Sequence, residues 1–122
     1  MADETVGDLH PARVPEAEAA YADPRKFTDY LLSETHTDGR GKAKFFREIG
    51  YDLSNWEELY KSLLAQLPTV EGRYSRPNPP WGENYEAVLR IEAPVGTVNV
   101  RTFWEVHPMT GTKFLTAYPL EP

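Results

Sequence analysis

The chain changes its hydrophobic rhythm at Pro68. Before it, apolar residues recur at three- and four-residue intervals; after it, they alternate one by one. Asp23-Pro24 carries the marks of a helix start, with Asp at the N-cap and Pro in the first turn. Phe27, Tyr30 and Leu31 then fall on one face and predict a helix over 24–32. Ser33 to Gly39 reads as a polar loop. A second helix is predicted over 41–49, with Phe46 and Ile49 inward, Ala43 or Phe45 beside them, and Gly50 as the residue that ends it. Ser54 and Glu57 in S-N-W-E have capping-box spacing. They open a third predicted helix, 55–67, whose face is Trp56, Leu59, Tyr60, Leu63, Leu64 and Leu67, and Pro68 stops it.

Beyond Pro68 a short first strand is predicted over 69–75. It is followed by RPNPPWG (76–82), read as a Pro-rich loop that cannot pair continuously. Tyr85, Ala87, Leu89 and Ile91 alternate with polar neighbours and predict a strand over 84–92. After the Pro94-Val95-Gly96 turn, Val98, Val100, Thr102, Trp104 and Val106 share one face of a strand over 97–106. A second turn at 108–111 leads into a last strand over 112–118. Helices followed by hairpin-connected strands predict an α+β fold, with three helices on one face of an antiparallel sheet of three to four strands.

Residues 1–22 show no sustained period and are rich in Ala, Glu and Pro, so they read as a poorly ordered acidic arm, with Val14 and Tyr21 as candidate docking residues, before a single domain over 23–122. Most of the acidity sits in that arm. Of the net −6, residues 1–22 hold five acids and one base (−4), and the rest holds fourteen acids and twelve bases (−2). Overall acidity argues against strong nonspecific nucleic-acid binding. Residues 36–47 run the other way, with Arg40, Lys42, Lys44 and Arg47 against Asp38, a local +3 suited to a phosphate or carboxylate. The N-terminus lacks the apolar core of a signal peptide, and no apolar run approaches the ~18 residues of a membrane span. A cytoplasmic protein without a membrane anchor is the expectation. The chain has no cysteine and three scattered histidines. Neither a metal site nor a cofactor is expected from that set.

Three stretches carry a resemblance: HTDGRGKAKFFREIGY (36–51), VRTFWEV (100–106) and FLTAYP (114–119). In the pattern H-x-x-G-x-x-K-A-x-F-F followed by T-x-W, the chain resembles a bacterial domain family of uncharacterised function. Similar domains form the C-terminal tips of polymorphic and contact-dependent-inhibition toxins. The resemblance implies a fold like that of the ribonuclease group containing barnase, EndoU, colicin D and RelE-like toxins. It also implies RNA, or a protein partner of the immunity or antitoxin kind. Toxin tips of this sort are basic, whereas this chain is acidic.

Metal-independent RNA cleavage by 2′-OH attack needs a base, an acid and a cation for the developing phosphorane charge. His36, Lys42 and a hydroxyl from Thr116 or Tyr118 are the candidates for those parts, expected to meet in a cleft between the helices and the sheet. Arg40, Lys44 and Arg101 are candidate substrate contacts. Trp104, with Trp81, Tyr85 and Tyr118, is a candidate stacking platform for bases. Each has a plainer reading: His36 as a turn cap, Lys42 as a snorkelling cation, the aromatics as core, and Arg90 and Arg101 as cross-strand partners of Glu86, Glu92 or Glu105. His10 reads as solvated and His107 as a turn residue. The alternative to an enzyme is a non-catalytic partner-binding or regulatory module of the same fold. The sequence is silent on oligomeric state.

Overall fold

The computed structural model describes residues 8–33 and 40–120. A π-helical turn, Phe27–Leu31, precedes α1 (Arg40–Glu48) and α2 (Trp56–Gln66), which runs on into a 3-10 turn, Leu67–Thr69. Four strands follow: β1 (Arg73–Asn78), β2 (Gly82–Ala93), β3 (Gly96–His107) and β4 (Gly111–Pro119). They form one antiparallel sheet in the order β1-β2-β3-β4. This is an α+β fold; among the described residues the helices cover one sheet face and leave the other open.

Alternation decides which side chains meet the helices. Ala87, Leu89 and Ile91 of β2 and Val100, Thr102 and Trp104 of β3 point inward and are buried. Leu59 and Leu63 of α2 close over them. Trp104 is fully buried and edges onto Phe114 at 5.3 Å, which stacks on Phe27 at 5.4 Å, tying β3, β4 and the π-turn together. Thr102 makes this possible. Its hydroxyl donates to the Ala87 carbonyl at 2.7 Å and accepts the Trp104 indole N–H at 2.7 Å. The T-x-W pattern is therefore a solved polar problem inside an apolar layer.

Four expectations need correction. First, the segment from residue 8 is not a loose arm. Val14 is fully buried and Ala17 nearly so. The Gly72 N–H donates to the Ala12 carbonyl at 2.9 Å, and a side chain at Gly72 would sit 2.5 Å from Val14. Tyr21 pairs with the edge of β4, donating to Thr112 O and accepting from the Phe114 N–H. This strap covers an otherwise open sheet edge. It is held by backbone bonds and single apolar anchors, which leave no periodic trace. Second, the first helix is present where expected but is wound as a π-turn over Phe27–Leu31, closed by the Leu32 N–H donating to Phe27 O at 2.9 Å. Third, Ser54 does not cap α2. Its hydroxyl bonds Asp52, and Asn55 takes the N-cap position, clasping the turn through Asp52 N and Gly50 O. Fourth, β1 starts later than expected and runs through Pro77 to Asn78. The proline is tolerated because β1 is the edge strand of the sheet, with no partner on its far side among the described residues. The C-terminal stop of α1 is as read: Gly50 adopts φ 106°, and Tyr51 N–H bonds back to Phe46 O at 2.8 Å.

Candidate functional site on the open face of the sheet

Residues one step out of phase with the core line the open face. Arg73 and Arg76 of β1, Arg90 of β2, Arg101 of β3 and Lys113 of β4 share it with Glu86, Glu92 and Glu105. Five cations meet three acids, so this face is locally positive on a chain whose net charge is −6. Arg101 bonds Glu86 at 3.0 Å and Lys113 lies 3.5 Å from Glu105.

Two register shifts bend this surface, between Tyr74 and Arg76 against β2 and between Phe103 and Trp104 against β4. Each inserts one residue, Ser75 and Leu115, and such bulges bend a strand and re-aim its side chains. Both inserted residues line the same hollow. It is a groove of about 410 Å³ that crosses the strands from Ser75 and Arg76, past Asn84 and Phe103, to Leu115, Thr116 and Tyr118.

At the β4 end the helical layer reaches round the sheet edge. Ala43 and Phe46 of α1 point into the core, and Lys42, one position earlier, points to the rim. Its ammonium lies 4.6 Å from the centre of the Tyr118 ring and 5.2 Å from that of Tyr30, a cation held between two aromatic faces. The Thr116 hydroxyl donates to the Tyr30 oxygen at 3.5 Å. The π-turn separates Tyr30 from its neighbours: Phe27 and Leu31 are buried, while Tyr30 is half-buried and turned to this rim. Burial pushes the Tyr30 phenol up. Hydrogen bonds from Thr116 and Lys42, with the charges of Lys42 and Lys26, outweigh burial and hold the phenol below its ordinary 10.0.

The structure thus gathers Lys42, Thr116 and Tyr118 at one end of one groove and adds Tyr30. His36 lies outside the described residues, and so does the Arg40 side chain. Lys44 is exposed on α1, about 200° round the helix from Lys42, and does not join the cluster. Arg101 sits across from Tyr118 on the open face. Trp104 is not a stacking platform, because its phase on β3 turns it into the core. The expected cleft between helices and sheet is filled by that core, and the groove is on the opposite face. His107 accepts from Met109 N–H and His10 from Ala12 N–H, so both brace turns. Tyr30 escaped the sequence reading because it shares helical spacing with core residues. Asn84, Arg76 and Phe103 escaped because an outward phase reads as ordinary solvent face.

A larger hollow, about 660 Å³, lies against Thr28, Asp29, Arg47 and Asp52. It combines two carboxylates with one guanidinium and no aromatic ring, a poor match to a polyanion. Among the described residues no three His, Asp or Glu side chains gather as a metal site, and no helix is long and apolar enough to cross a membrane.

No curated protein matches the chain. Among solved structures, one chain of the contact-dependent growth inhibition toxin–immunity protein complex from Klebsiella pneumoniae 342 is similar in fold. The TM-score is 0.66 at 14% identity, over 89% of this chain and 100% of that one. The family described as a domain of unknown function, DUF6883, matches residues 13–121. That span takes in the Val14 strap, the helical layer, the whole sheet and both ends of the groove, and the chain belongs to this family.

Proposed function

We propose that the groove binds single-stranded RNA and that the cluster at its β4 end cleaves it, as a toxin-type ribonuclease acting without a metal. The observation that carries this reading is the convergence of a cation, two phenols and a threonine hydroxyl at the end of a locally positive groove on an acidic chain. In the proposed step a base takes the 2′-hydroxyl proton and the 2′-oxygen attacks phosphorus. The P–O5′ bond breaks, and an acid protonates the departing 5′-oxygen, leaving a 2′,3′-cyclic phosphate and a 5′-hydroxyl. His36 remains the base assigned from the sequence. Lys42 stabilises the phosphorane charge. Tyr30, whose phenol titrates below its ordinary value, is the acid. Thr116 and Tyr118 position Tyr30 and Lys42.

The Klebsiella complex pairs a contact-dependent growth inhibition toxin with an immunity protein. It supports a toxin-related role for this chain and a protein partner. The test is incubation of purified protein with total tRNA in excess EDTA, followed by analysis of the ends. Wild-type protein should yield 2′,3′-cyclic phosphate ends, and Lys42→Ala, Tyr30→Phe and His36→Ala should each cut the rate while leaving the melting midpoint in place. Intact tRNA across a range of pH and salt would leave the binding-module alternative as the better account.

A further inference from the structure

We propose that Asn84 is the base-reading residue of the groove: a nucleobase stacks on Phe103, the Asn84 amide pairs with its hydrogen-bonding edge, and Arg76 holds the adjoining phosphate. The proposal rests on the groove being an RNA site and says which of its residues selects the base.

Asn84 is unusual for its place on β2. The outward row that continues from it, Glu86, Val88, Arg90 and Glu92, is half-buried or exposed, yet Asn84 is only 8% exposed. Its carbonyl Oδ1 is buried without a hydrogen-bond partner among the described residues. Of its cross-strand neighbours, Arg76 carries donors but makes no hydrogen bond to this oxygen, and Glu105, a carboxylate already bonded by Lys113 and by the Asn78 amide at 3.2 Å, has no donor to give it. The contrast with Thr102 on the core face is direct, since that hydroxyl both donates and accepts within the protein. A buried amide oxygen without a donor is unfavourable and calls for one from outside.

The surroundings say what kind of donor. Asn84, Arg76 and Phe103 line the same groove. Phe103 is half-buried and braced edge-on by Tyr118, with ring centres 5.7 Å apart, so one aromatic surface is fixed beside the amide. Arg76 supplies a charged fork for phosphate. Three strand spacings of about 4.8 Å separate β1 from β4, so roughly 14 Å of groove joins Arg76 to the Lys42 cluster, room for adjacent nucleotides. An aromatic plane, a primary amide and a guanidinium in that order fit a base, its edge and its phosphate. An amide presents one acceptor and one donor side by side, so it discriminates among base edges, whereas stacking does not.

The chemistry makes a directional test. Asn84→Asp replaces the donor with a second acceptor and favours guanine, whose ring N–H and exocyclic amine are adjacent donors. Asn84→Leu removes both functions. The probes are four short 2′-O-methyl oligonucleotides differing in one base; they lack the attacking hydroxyl, so binding is read apart from cleavage. Fluorescence anisotropy at fixed salt should show wild type preferring one base by roughly tenfold, the scale of a good amide–base pair. Asn84→Leu should flatten the four affinities to within about twofold, and Asn84→Asp should shift the preference toward guanine. Phe103→Ala, which leaves the amide intact, should weaken all four by roughly fivefold or more. Equal wild-type binding of all four overturns the proposal, as does an unchanged preference in variants that keep the wild-type melting midpoint. Cleavage of RNA with a preference indifferent to Asn84 overturns this assignment alone, whereas no binding to any probe overturns the RNA reading with it.

Discussion

The two faces of the sheet are built from the same strands, one residue apart, and they treat polar groups in opposite ways. On the helix-covered face, Thr102 satisfies the Trp104 indole and bonds a backbone carbonyl. On the open face, bulges hollow the surface, cations outnumber acids, and an amide oxygen has no partner among the described residues. The first arrangement closes polar groups on one another and stabilises the fold. The second leaves them for something else to complete. Substitutions on the two faces should therefore separate stability from activity.

Trp104→Ala should have the largest effect on the closed face, about 3–5 kcal/mol of unfolding free energy by urea titration. A loss under about 1 kcal/mol would show that the aromatic stack does not hold the layers together. Lys42→Ala, at the open face's rim, should cut RNA cleavage about 10²–10³-fold while the urea midpoint barely moves. A matched fall in stability would make Lys42 a structural cation. Val14→Ala should cost about 2 kcal/mol, since the strap is core in all but periodicity; no measurable change would return residues 8–22 to the role of a loose arm. Arg76→Ala should lower the slope of log affinity against log salt by about 1 for every RNA sequence, as for the loss of one phosphate contact. Asp23→Asn should be smallest and visible only through pH. Hydrogen bonds from the Arg25 side chain and backbone push the Asp23 carboxyl down from 3.8 to about 2. The charged form is the one favoured by folding, so its contribution is present above pH 3.8 and fades as pH falls through about 2. Acid titrations of wild type and variant should converge there and differ slightly above it.

Much of the sheet was legible because Ala87, Leu89 and Ile91, and Val100, Thr102 and Trp104, obey strict alternation, and alternation states which side is buried. It does not state whether an outward residue lies on a flat surface or in a hollow. That depends on the bulges at Ser75 and Leu115, which need the register of a partner strand. Lys42, Thr116 and Tyr118 stood out chemically, but 74 positions separate Lys42 from Thr116 in the chain. Only the folding of α1 round the β4 edge brings them together. Tyr30 was hidden by its spacing, because a regular helix would have turned it with Phe27 and Leu31 into the core. Of the strap only Val14 and Tyr21 stood out as docking residues: backbone bonds from Tyr21 and Ala12 do most of its work, and backbone bonds carry no residue signature.

Under the proposed function the open face is the working face. Backbone amide shifts on titrating a 2′-O-methyl single-stranded RNA into 15N-labelled protein test it most directly. The predicted result is a continuous track through Arg76, Asn84, Arg101, Phe103 and Tyr118, with α2 unaffected. Shifts confined to the hollow beside Asp29, Arg47 and Asp52, or to the helical layer, would contradict it.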